Sequence, residues 1–427
     1  MADKPPADKP PASEPAGEPR IAERREGVLA PFRFKDFRLL WSGLLVSNLG
    51  TWMQFTALGY YVASLATNGR EGALGIGLIG AARAVPVLIL SPFAGVVADR
   101  YPRRMILFAT NAMTSVLSFV VFGLIVTNHA PLWALMITSG FQAGTQSFDA
   151  PARQSWVPLM VPREFVGRAI GLNSVAFNAP SVVGPPLAGL LIATIGVAPC
   201  FLVNAVATLA VVIALLFMKP APPSSTVRGH VFRAILEGVR FLFAHPVLRW
   251  VVLMLTITSL TIRSYNFQLP AYAVHVVHTD ARGLGWLMAA AGVGAICGAF
   301  FTAATGGDRR GTIWIASATF AALGVTALGL TTSFVVALPI LAVIGLSTLS
   351  FIGSSNILLQ TLSPDDMRGR AISVYGMILL GFVPAGSLLV GAIATLLELR
   401  WAFVLGGSVS VVCALAIALT QPQVRDA

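Results

Sequence analysis

The sequence predicts an all-α membrane protein with twelve transmembrane helices in two homologous six-helix halves. Three observations lead to this prediction: the composition, the spacing of the apolar segments and an internal repeat. Of the 427 residues, 56% are hydrophobic and 11% are charged, and the mean hydropathy is +0.78. A soluble domain carries about 25% charged residues, whereas one membrane crossing needs about 20 mostly apolar residues. The composition therefore excludes a soluble enzyme and suffices for about twelve crossings.

Polar breaks divide the chain into regions of different character. Residues 1–31 form a Pro-rich tail with few large apolar side chains, and this composition predicts cytoplasmic disorder. Residues 32–218 form the N-terminal six-helix half, 219–247 a cytoplasmic linker, 248–420 the C-terminal six-helix half and 421–427 a short tail. The predicted spans are 39–66, 74–98, 105–127, 132–150, 167–193, 200–218, 248–273, 284–304, 312–331, 334–358, 371–396 and 401–420.

The basic residues predict the orientation of these spans. With both termini in the cytoplasm, 24 of the 29 Lys and Arg residues lie in cytoplasmic segments, while Arg70, Arg282 and Arg400 lie in outer loops. Cytoplasmic loops of membrane proteins carry this excess of positive charge. The net charge of +11 is thus a topology signal and gives no support to nucleic-acid binding. We expect a multi-pass protein of a bacterial-type inner membrane, in contact with the lipid bilayer.

An internal repeat supports the division into two halves. Residues 167–170 read Gly-Arg-Ala-Ile and recur as residues 369–372, a shift of 202 positions. At the same shift, Gly184 aligns with Gly386 and Gly189 aligns with Gly391. Repeated halves that pack around a site at the membrane midplane are typical of secondary transporters.

The loop between the second and third spans carries a dense basic motif. Residues 95–104 read Gly-Val-Val-Ala-Asp-Arg-Tyr-Pro-Arg-Arg. This segment resembles the signature loop of the major facilitator superfamily, Gly-x-x-x-Asp-Arg-x-Gly-Arg-Arg, with Pro102 at the second glycine. The resemblance implies the major facilitator fold, with alternating access and a cytoplasmic gate formed by Gly95, Asp99, Arg100, Arg103 and Arg104. In the alternative interpretation the arginines only hold the loop in the cytoplasm.

Two further segments place the chain within the superfamily. The start of the first span, residues 37–54, and residues 150–158 are similar to the branch that contains enterobactin exporters and drug-efflux pumps. In the fifth span, Gly184, Pro185 and Gly189 resemble the Gly-Pro-x-x-Gly-Gly motif of antiporters, with Ala188 at the first glycine of the pair. This resemblance implies export, although generic Gly/Pro packing of a kinked helix gives the same pattern.

Ionisable residues are scarce in the predicted spans. None of the 18 acidic residues lies at the centre of a span. Asp149, at the cytoplasmic end of span four, is the candidate for proton coupling, but an ion pair with Arg153 four residues later is the competing interpretation. Arg83 and Arg263 lie within spans two and seven. A buried charge must face water, a partner or a ligand, so these arginines either line a substrate cavity or bind carbonyl groups freed by nearby prolines.

Several polar and aromatic residues within the spans are candidates for the cavity wall, with interhelical hydrogen bonding as the alternative role. Besides Arg83 and Arg263, they are Asn48, Thr51, Trp52, Gln54, Phe55, Gln142, Asn173, Phe177, Asn178, Tyr265, Asn266, Gln268 and Asn356. The sequence thus predicts a monomeric secondary transporter that exports a small amphiphilic substrate. Coupling to H+ is implied by the family resemblance alone, since no acidic residue lies at the centre of a span. The alternative is an importer or exchanger of an organic anion. No ATP-binding motif, cofactor or metal site is indicated.

Overall fold

The computed structural model describes residues 27–218, 231–305 and 310–425, without the side chains of residues 92, 95, 96, 99 and 231–234. Within these ranges the chain is almost wholly helical and contains no strand. The predicted tail up to residue 26 and the first part of the predicted linker lie outside the described residues.

Each predicted span of the N-terminal half contains one helix. After a 3₁₀ turn at Ala30–Arg33, the helices are α1 (Lys35–Leu65), α2 (Gly69–Arg100), α3 (Arg103–Val126), α4 (Leu132–Trp156), α5 (Val166–Ile195) and α6 (Ala198–Leu216). Most of them are longer than 20 residues, the length that crosses a bilayer, and the short connections make sequential helices antiparallel.

The C-terminal half differs from the prediction at two spans and in the linker. Its helices are α7 (Val231–Ala244), α8 (Leu248–Thr261), α9 (Tyr265–His275), α10 (Ala281–Ala304), α11 (Arg310–Leu330), α12 (Phe334–Leu362), α13 (Asp365–Met377), α14 (Val383–Leu397), α15 (Leu399–Thr420) and α16 (Pro422–Arg425). Predicted span seven is interrupted at 262–264, between α8 and α9. Predicted span eleven contains a π-helical turn, Ile378–Phe382, between α13 and α14. The linker, in its described part, holds α7.

Nine helical segments of the described chain are long and apolar enough to cross a membrane, and a tenth candidate is the pair Ile235–Ala244 and Leu248–His275, bent by 111°. The helices α1 and α4 have the length but not the apolar character. Both carry amide side chains, such as Gln54 and Gln142, that face the interior of the bundle. Nine or ten crossings therefore meet the apolar criterion, where the sequence predicts twelve.

The two halves meet closely at one end of the bundle. We call this the far end, where residues 66–68 join α1 to α2; the opposite end, which carries α7, is the linker end. Glycines allow backbone-to-backbone approach between the halves: a Cβ on Gly391 of α14 would lie 2.6 Å from the carbonyl oxygen of Ala73 in α2. Arg70 and Glu398 also approach to 3.9 Å there. The far end is thus closed by dense packing.

Candidate functional site

A cavity of about 550 Å³ lies between the two halves. Fully buried residues close it at the far end, among them Ala73 and Leu269. From the level of Phe177, which is 49% exposed, the lining continues toward the linker end as far as Asp149 and Arg153 in the last two turns of α4. The cavity is therefore closed at the far end and open at the linker end.

One part of the cavity wall is aromatic and joins the two halves. Trp52 and Phe55, one turn apart on α1, have ring centroids 5.6 Å apart. Phe55 in turn meets Phe267 of α9 edge-to-face at 5.0 Å. Aromatic pairs in this geometry present broad apolar surface to a ligand. Gly184 of α5 makes room for Trp52, since a Cβ on this glycine would lie 2.7 Å from the Cβ of Trp52.

Four helices of the N-terminal half share a buried network of uncharged side chains beside this wall. Gln54 of α1 donates through Nε2 to Oε1 of Gln142 on α4 at 2.8 Å. Its own Oε1 accepts from Ser118 of α3 at 2.8 Å and from Asn204 of α6 at 2.7 Å. Thr51 extends the network by donating to Oδ1 of Asn204. Because each amide finds partners inside the protein, the network fixes the four helices relative to one another.

Arg83 and Arg263 line the cavity from opposite halves. Arg83 of α2 donates from Nη2 to Oε1 of Gln146 at 3.4 Å, while its Nε is buried without a hydrogen-bond partner. Arg263 lies in the turn between α8 and α9, where the chain is not helical, and its Nη1 is likewise buried without a partner. A broken helix that places polar groups at a central cavity is a common feature of secondary transporters.

A third arginine, Arg153 of α4, lines the cavity nearer the linker end and is only 4% exposed. Its Nε lies 3.5 Å from Oδ2 of Asp149, the ion pair that the competing interpretation of Asp149 predicts. The other carboxylate oxygen of Asp149 accepts from Asn111 at 3.0 Å and Thr110 at 3.3 Å. The guanidinium of Arg153 also lies 5.0 Å from the ring of Phe177, a cation–π distance.

Most of the predicted wall residues line the cavity, but four do not. The residues that line it are Asn48, Thr51, Trp52, Gln54, Phe55, Arg83, Gln142, Phe177, Arg263, Tyr265 and Asn266. The proton-coupling candidate Asp149 lines it as well. Gln268 instead lies in the closed far end, where Nε2 donates to the carbonyl oxygens of Ala73 and Ser387 at 3.1 and 2.9 Å. Asn356 is hydrogen-bonded to Gln360, Asn178 binds the carbonyl of Ser174 one turn earlier, and Asn173 lies outside the cavity lining. The sequence position of a residue in its span could not distinguish these four residues from those that line the cavity, because it gives the face of the helix but not the helices that pack against that face.

The predicted gate motif lies at the linker end, between α2 and α3. Nε of Arg103 donates to Oγ of Ser155 at 2.8 Å, and Nη2 of Arg104 donates to the carbonyl oxygen of Leu216 at 3.0 Å. Arg100 is exposed. The side chain of Asp99 lies outside the described part of the structure, and Gly95 is described only by its place in α2.

The antiporter-like motif forms part of α5, which continues as a helix through Pro180, Pro185 and Pro186. Gly189 contacts the start of α10: a Cβ at this position would overlap the carbonyl oxygen of Ala281. The motif therefore lies where the two halves meet. No group of three or more His, Cys, Asp or Glu side chains suited to a metal ion occurs in the described ranges.

Sequence reasoning missed several polar residues of the cavity, among them Gln146, Arg153 and Asn204, and also Ser118 of the buried network beside it. Ser118 and Asn204 are single polar residues in apolar runs, and only the approach of α3 and α6 to α1 gives them partners. Arg153 follows Asp149 by four residues, so its local ion pair was evident but its burial at the cavity was not. A search for every polar residue within an apolar run would have found Asn204.

Comparison with known proteins agrees with this architecture. A family model described as "Transmembrane secretion effector", of the major facilitator superfamily, matches residues 26–426. The chain is 27% identical to the multidrug efflux pump Tap of Mycolicibacterium fortuitum over 374 residues, with 83% of this chain and 88% of that protein covered. It is 28% identical to the enterobactin exporter EntS of Escherichia coli O1:K1 over 345 residues, covering 78% and 79%.

Solved structures of low sequence identity share the fold. A D-xylose–proton symporter superposes with a TM-score of 0.73 at 14% identity, covering 93% of this chain and 99% of that one. A bacterial homologue of the lysosomal transporter Spinster, in an inward-facing conformation, gives 0.68 at 15% identity, covering 91% and 98%. With its helical bundle, its central cavity and a family match over almost the whole length, the chain is a multi-pass membrane transporter that belongs to the transmembrane secretion effector family of the major facilitator superfamily.

Proposed function

We propose that this protein exports small amphiphilic molecules by alternating access, acting as a monomer in a bacterial inner membrane. The observation that carries the proposal is the cavity between the halves, which combines an aromatic wall with buried amides and is open at one end only. A cavity with apolar surface and a few convergent polar groups is the usual form of a small-molecule site.

The distribution of charge gives the direction in which the cavity opens. The linker end carries the gate-motif arginines and the basic segments, so it lies in the cytoplasm by the positive-inside rule. The proposed topology counts α1, α4 and the α8–α9 pair as crossings, which gives twelve spans with both termini in the cytoplasm. The open cavity then faces the cytoplasm, which is the state in which an exporter takes up its substrate. In the opposite state, the gate motif closes the linker end.

The relatives support export over uptake. An efflux pump and an enterobactin exporter, by their names, match about four fifths of the chain. The antiporter-like motif of α5 lies at the contact between the halves, where a change of state would open the far end.

An efflux assay with a matched pair of variants tests the proposal. The protein is expressed in an efflux-deficient bacterial host, and the retention of two fluorescent amphiphiles, neutral N-phenyl-1-naphthylamine and anionic 8-anilinonaphthalene-1-sulfonate, is compared with that in the same host carrying the empty vector. We expect at least one dye to be retained several-fold less than with empty vector. Trp52→Ala, in the aromatic wall, should restore retention, whereas Trp133→Ala, which removes a 65% exposed tryptophan of α4, should not. Equal retention with and without the protein, also after reconstitution in liposomes, would overturn the proposal.

A second candidate function is uptake or exchange of an organic anion. Arg83 and Arg263 favour it, because cationic groups in a cavity attract anions. Direction separates the two candidates: accumulation inside inverted membrane vesicles indicates export, and accumulation inside right-side-out vesicles indicates uptake.

A further inference from the structure

Resting on the proposed function, we propose that the exported substrate is an organic anion with an aromatic or apolar body. The cavity arginines are its fixed counter-charges, and the membrane potential drives its export. This narrows the substrate from amphiphiles in general to anionic amphiphiles, and it replaces a coupling proton by an electrical driving force.

The first support is the incomplete hydrogen bonding of the cavity arginines. Arg83 (Nε), Arg153 (Nη1) and Arg263 (Nη1) each have a buried N–H group with no hydrogen-bond partner among the described residues, and all three residues line the same cavity. Unpaired polar groups of this kind are costly in a membrane protein and mark functional sites. A carboxylate, sulfonate or phosphate on a ligand would satisfy them by charge-assisted hydrogen bonds.

The second support is the balance of charge around the cavity. Of the charged side chains that the structure describes, those that line the cavity are Arg83, Arg153, Arg263 and Asp149. Asp149 is already engaged by Arg153 and by the donors Asn111 and Thr110. It therefore compensates one arginine at most, and two positive charges remain for a ligand.

The third support is the position of apolar surface next to the charge. Arg263 precedes Phe267 by four residues, and Phe267 packs edge-to-face on Phe55. A ligand whose anionic group binds Arg263 thus has aromatic surface within reach for its body. Charge at one end and an aromatic wall at the other select for an amphiphile.

The driving force follows from the fixed counter-charge. Since arginines of the protein balance the bound anion, no co-transported cation is needed, and each cycle moves one negative charge outward. A potential of 100 mV, negative inside, favours this by about 2.3 kcal/mol per charge, which corresponds to about a 50-fold concentration ratio. Export of an anion therefore runs down the electrical gradient.

Binding of three matched probes to the purified full-length protein tests the charge preference. The probes are naphthalene-2-sulfonate, the neutral naphthalene-2-sulfonamide and (naphthalen-2-ylmethyl)trimethylammonium, and equilibrium dialysis gives their Kd values. We expect the sulfonate to bind at least tenfold more tightly than the other two. Arg263→Gln and Arg83→Gln should each weaken sulfonate binding about tenfold or more and leave sulfonamide binding within twofold. Arg263→Lys should retain most of the sulfonate preference, and Arg282→Gln, at an exposed arginine, is the matched control.

Transport in liposomes tests the driving force. A potential of 100 mV is set by a K⁺ gradient and valinomycin at equal pH on both sides, and the sulfonate should accumulate on the positive side, up to about 50-fold. Sulfonate binding no tighter than sulfonamide binding, including no binding at all, would overturn the anion assignment while leaving export intact. Accumulation that requires a pH gradient and ignores the potential would overturn the driving force. A clear sulfonate preference without transport of any probe would instead refute the proposed export.

Discussion

Gly189 allows a direct test of how the far end is held closed. This glycine of α5 lies against the first residue of α10, and a methyl group there would overlap the carbonyl oxygen of Ala281 and come within 3.2 Å of its carbonyl carbon. Both partners are helical backbone, which cannot rotate away as a side chain can. We predict that Gly189→Ala shifts the protein away from the state in which the far end is closed.

The size of the shift follows from the overlap. Ordinary van der Waals contacts are about 3.5–4.0 Å, so α5 and α10 must separate by about 1 Å to admit the methyl group. Overpacking of this kind costs about 1–3 kcal/mol. Because the contact joins the two halves, the cost applies only while the far end is closed. The equilibrium between the two states should therefore move by about five- to 150-fold.

Two further glycine variants provide the control and an intermediate point. Gly171→Ala lies on the same helix, with no atom near enough to touch its methyl group, and should leave the equilibrium unchanged. Both α5 substitutions stabilise the folded protein by about 0.4–1 kcal/mol, because alanine reduces the conformational entropy of the unfolded chain. This stabilisation is the same whether the far end is closed or open. Gly285→Ala, whose Cβ would lie 3.0 Å from the carbonyl oxygen of Pro185, should produce a smaller shift than Gly189→Ala.

Double electron–electron resonance measures the populations. Spin labels at positions 70 and 398, which lie in opposite halves at the far end and are both more than half exposed, report its opening in a background without the native cysteines. The long-distance population should grow in the order Gly171→Ala, Gly285→Ala, Gly189→Ala. An unchanged distance distribution in Gly189→Ala, or an equal shift in Gly171→Ala, would refute the reasoning.

Three further predictions concern stability. Gln54→Leu removes one donor and one acceptor from the buried amide network, so the free energy of unfolding should fall by about 1–3 kcal/mol, measured by thermal denaturation in detergent against wild type. His245, in the bend before α8, accepts through Nδ1 a hydrogen bond from the backbone N–H of Leu248 at 3.3 Å, and burial lowers its pKa. The free energy of unfolding should therefore fall as the pH drops from about 6.5 through that lowered pKa. NMR of the histidine ring follows the titration, and His245→Gln should abolish the pH dependence. Glu237 and Arg370 form an ion pair at 3.0 Å, and both side chains are more than a third exposed. A double-mutant cycle should give a coupling energy of less than about 1 kcal/mol. A larger value would contradict the inference that solvent exposure weakens this pair.

The positions of the helices could be predicted from the sequence, but their interruptions could not. Each helix that spans the bundle falls within or across a predicted apolar segment, because long apolar runs leave few alternatives to a helix in a membrane. The break at 262–264 lies in a run without Gly or Pro, so nothing local marks it. The π-helical turn Ile378–Phe382 contains Gly381 and precedes Pro384, but α5 continues as a helix through three prolines, so these residue types alone do not predict an interruption. Both features depend on packing against the other half, which a linear pattern does not contain.

The candidate site was predictable to the extent that single helices define it. The stripe of Thr51, Trp52 and Phe55 lines the cavity as helical spacing suggests. Gln268 is a glutamine within a predicted span, like the wall residues Gln54 and Gln142. Its amide nevertheless donates a hydrogen bond from α9 to the carbonyl oxygen of Ala73 in α2. The difference lies in which helix faces it, and this information resides in contacts between segments nearly 200 residues apart.

The nature of the far-end contacts bears on how a closed end can reopen. The Arg70–Glu398 pair has side chains that are 53% and 57% exposed, and such pairs contribute about 0–1 kcal/mol. Glycine-to-backbone contacts such as that of Gly391 with Ala73 must therefore carry most of the closure. Each atom pair in them contributes only about 0.1–0.2 kcal/mol, but their sum depends steeply on distance, so a separation of about 1 Å forfeits much of it at once. Closure by packing rather than by charge thus gives an end that is either shut or open, as alternating access requires.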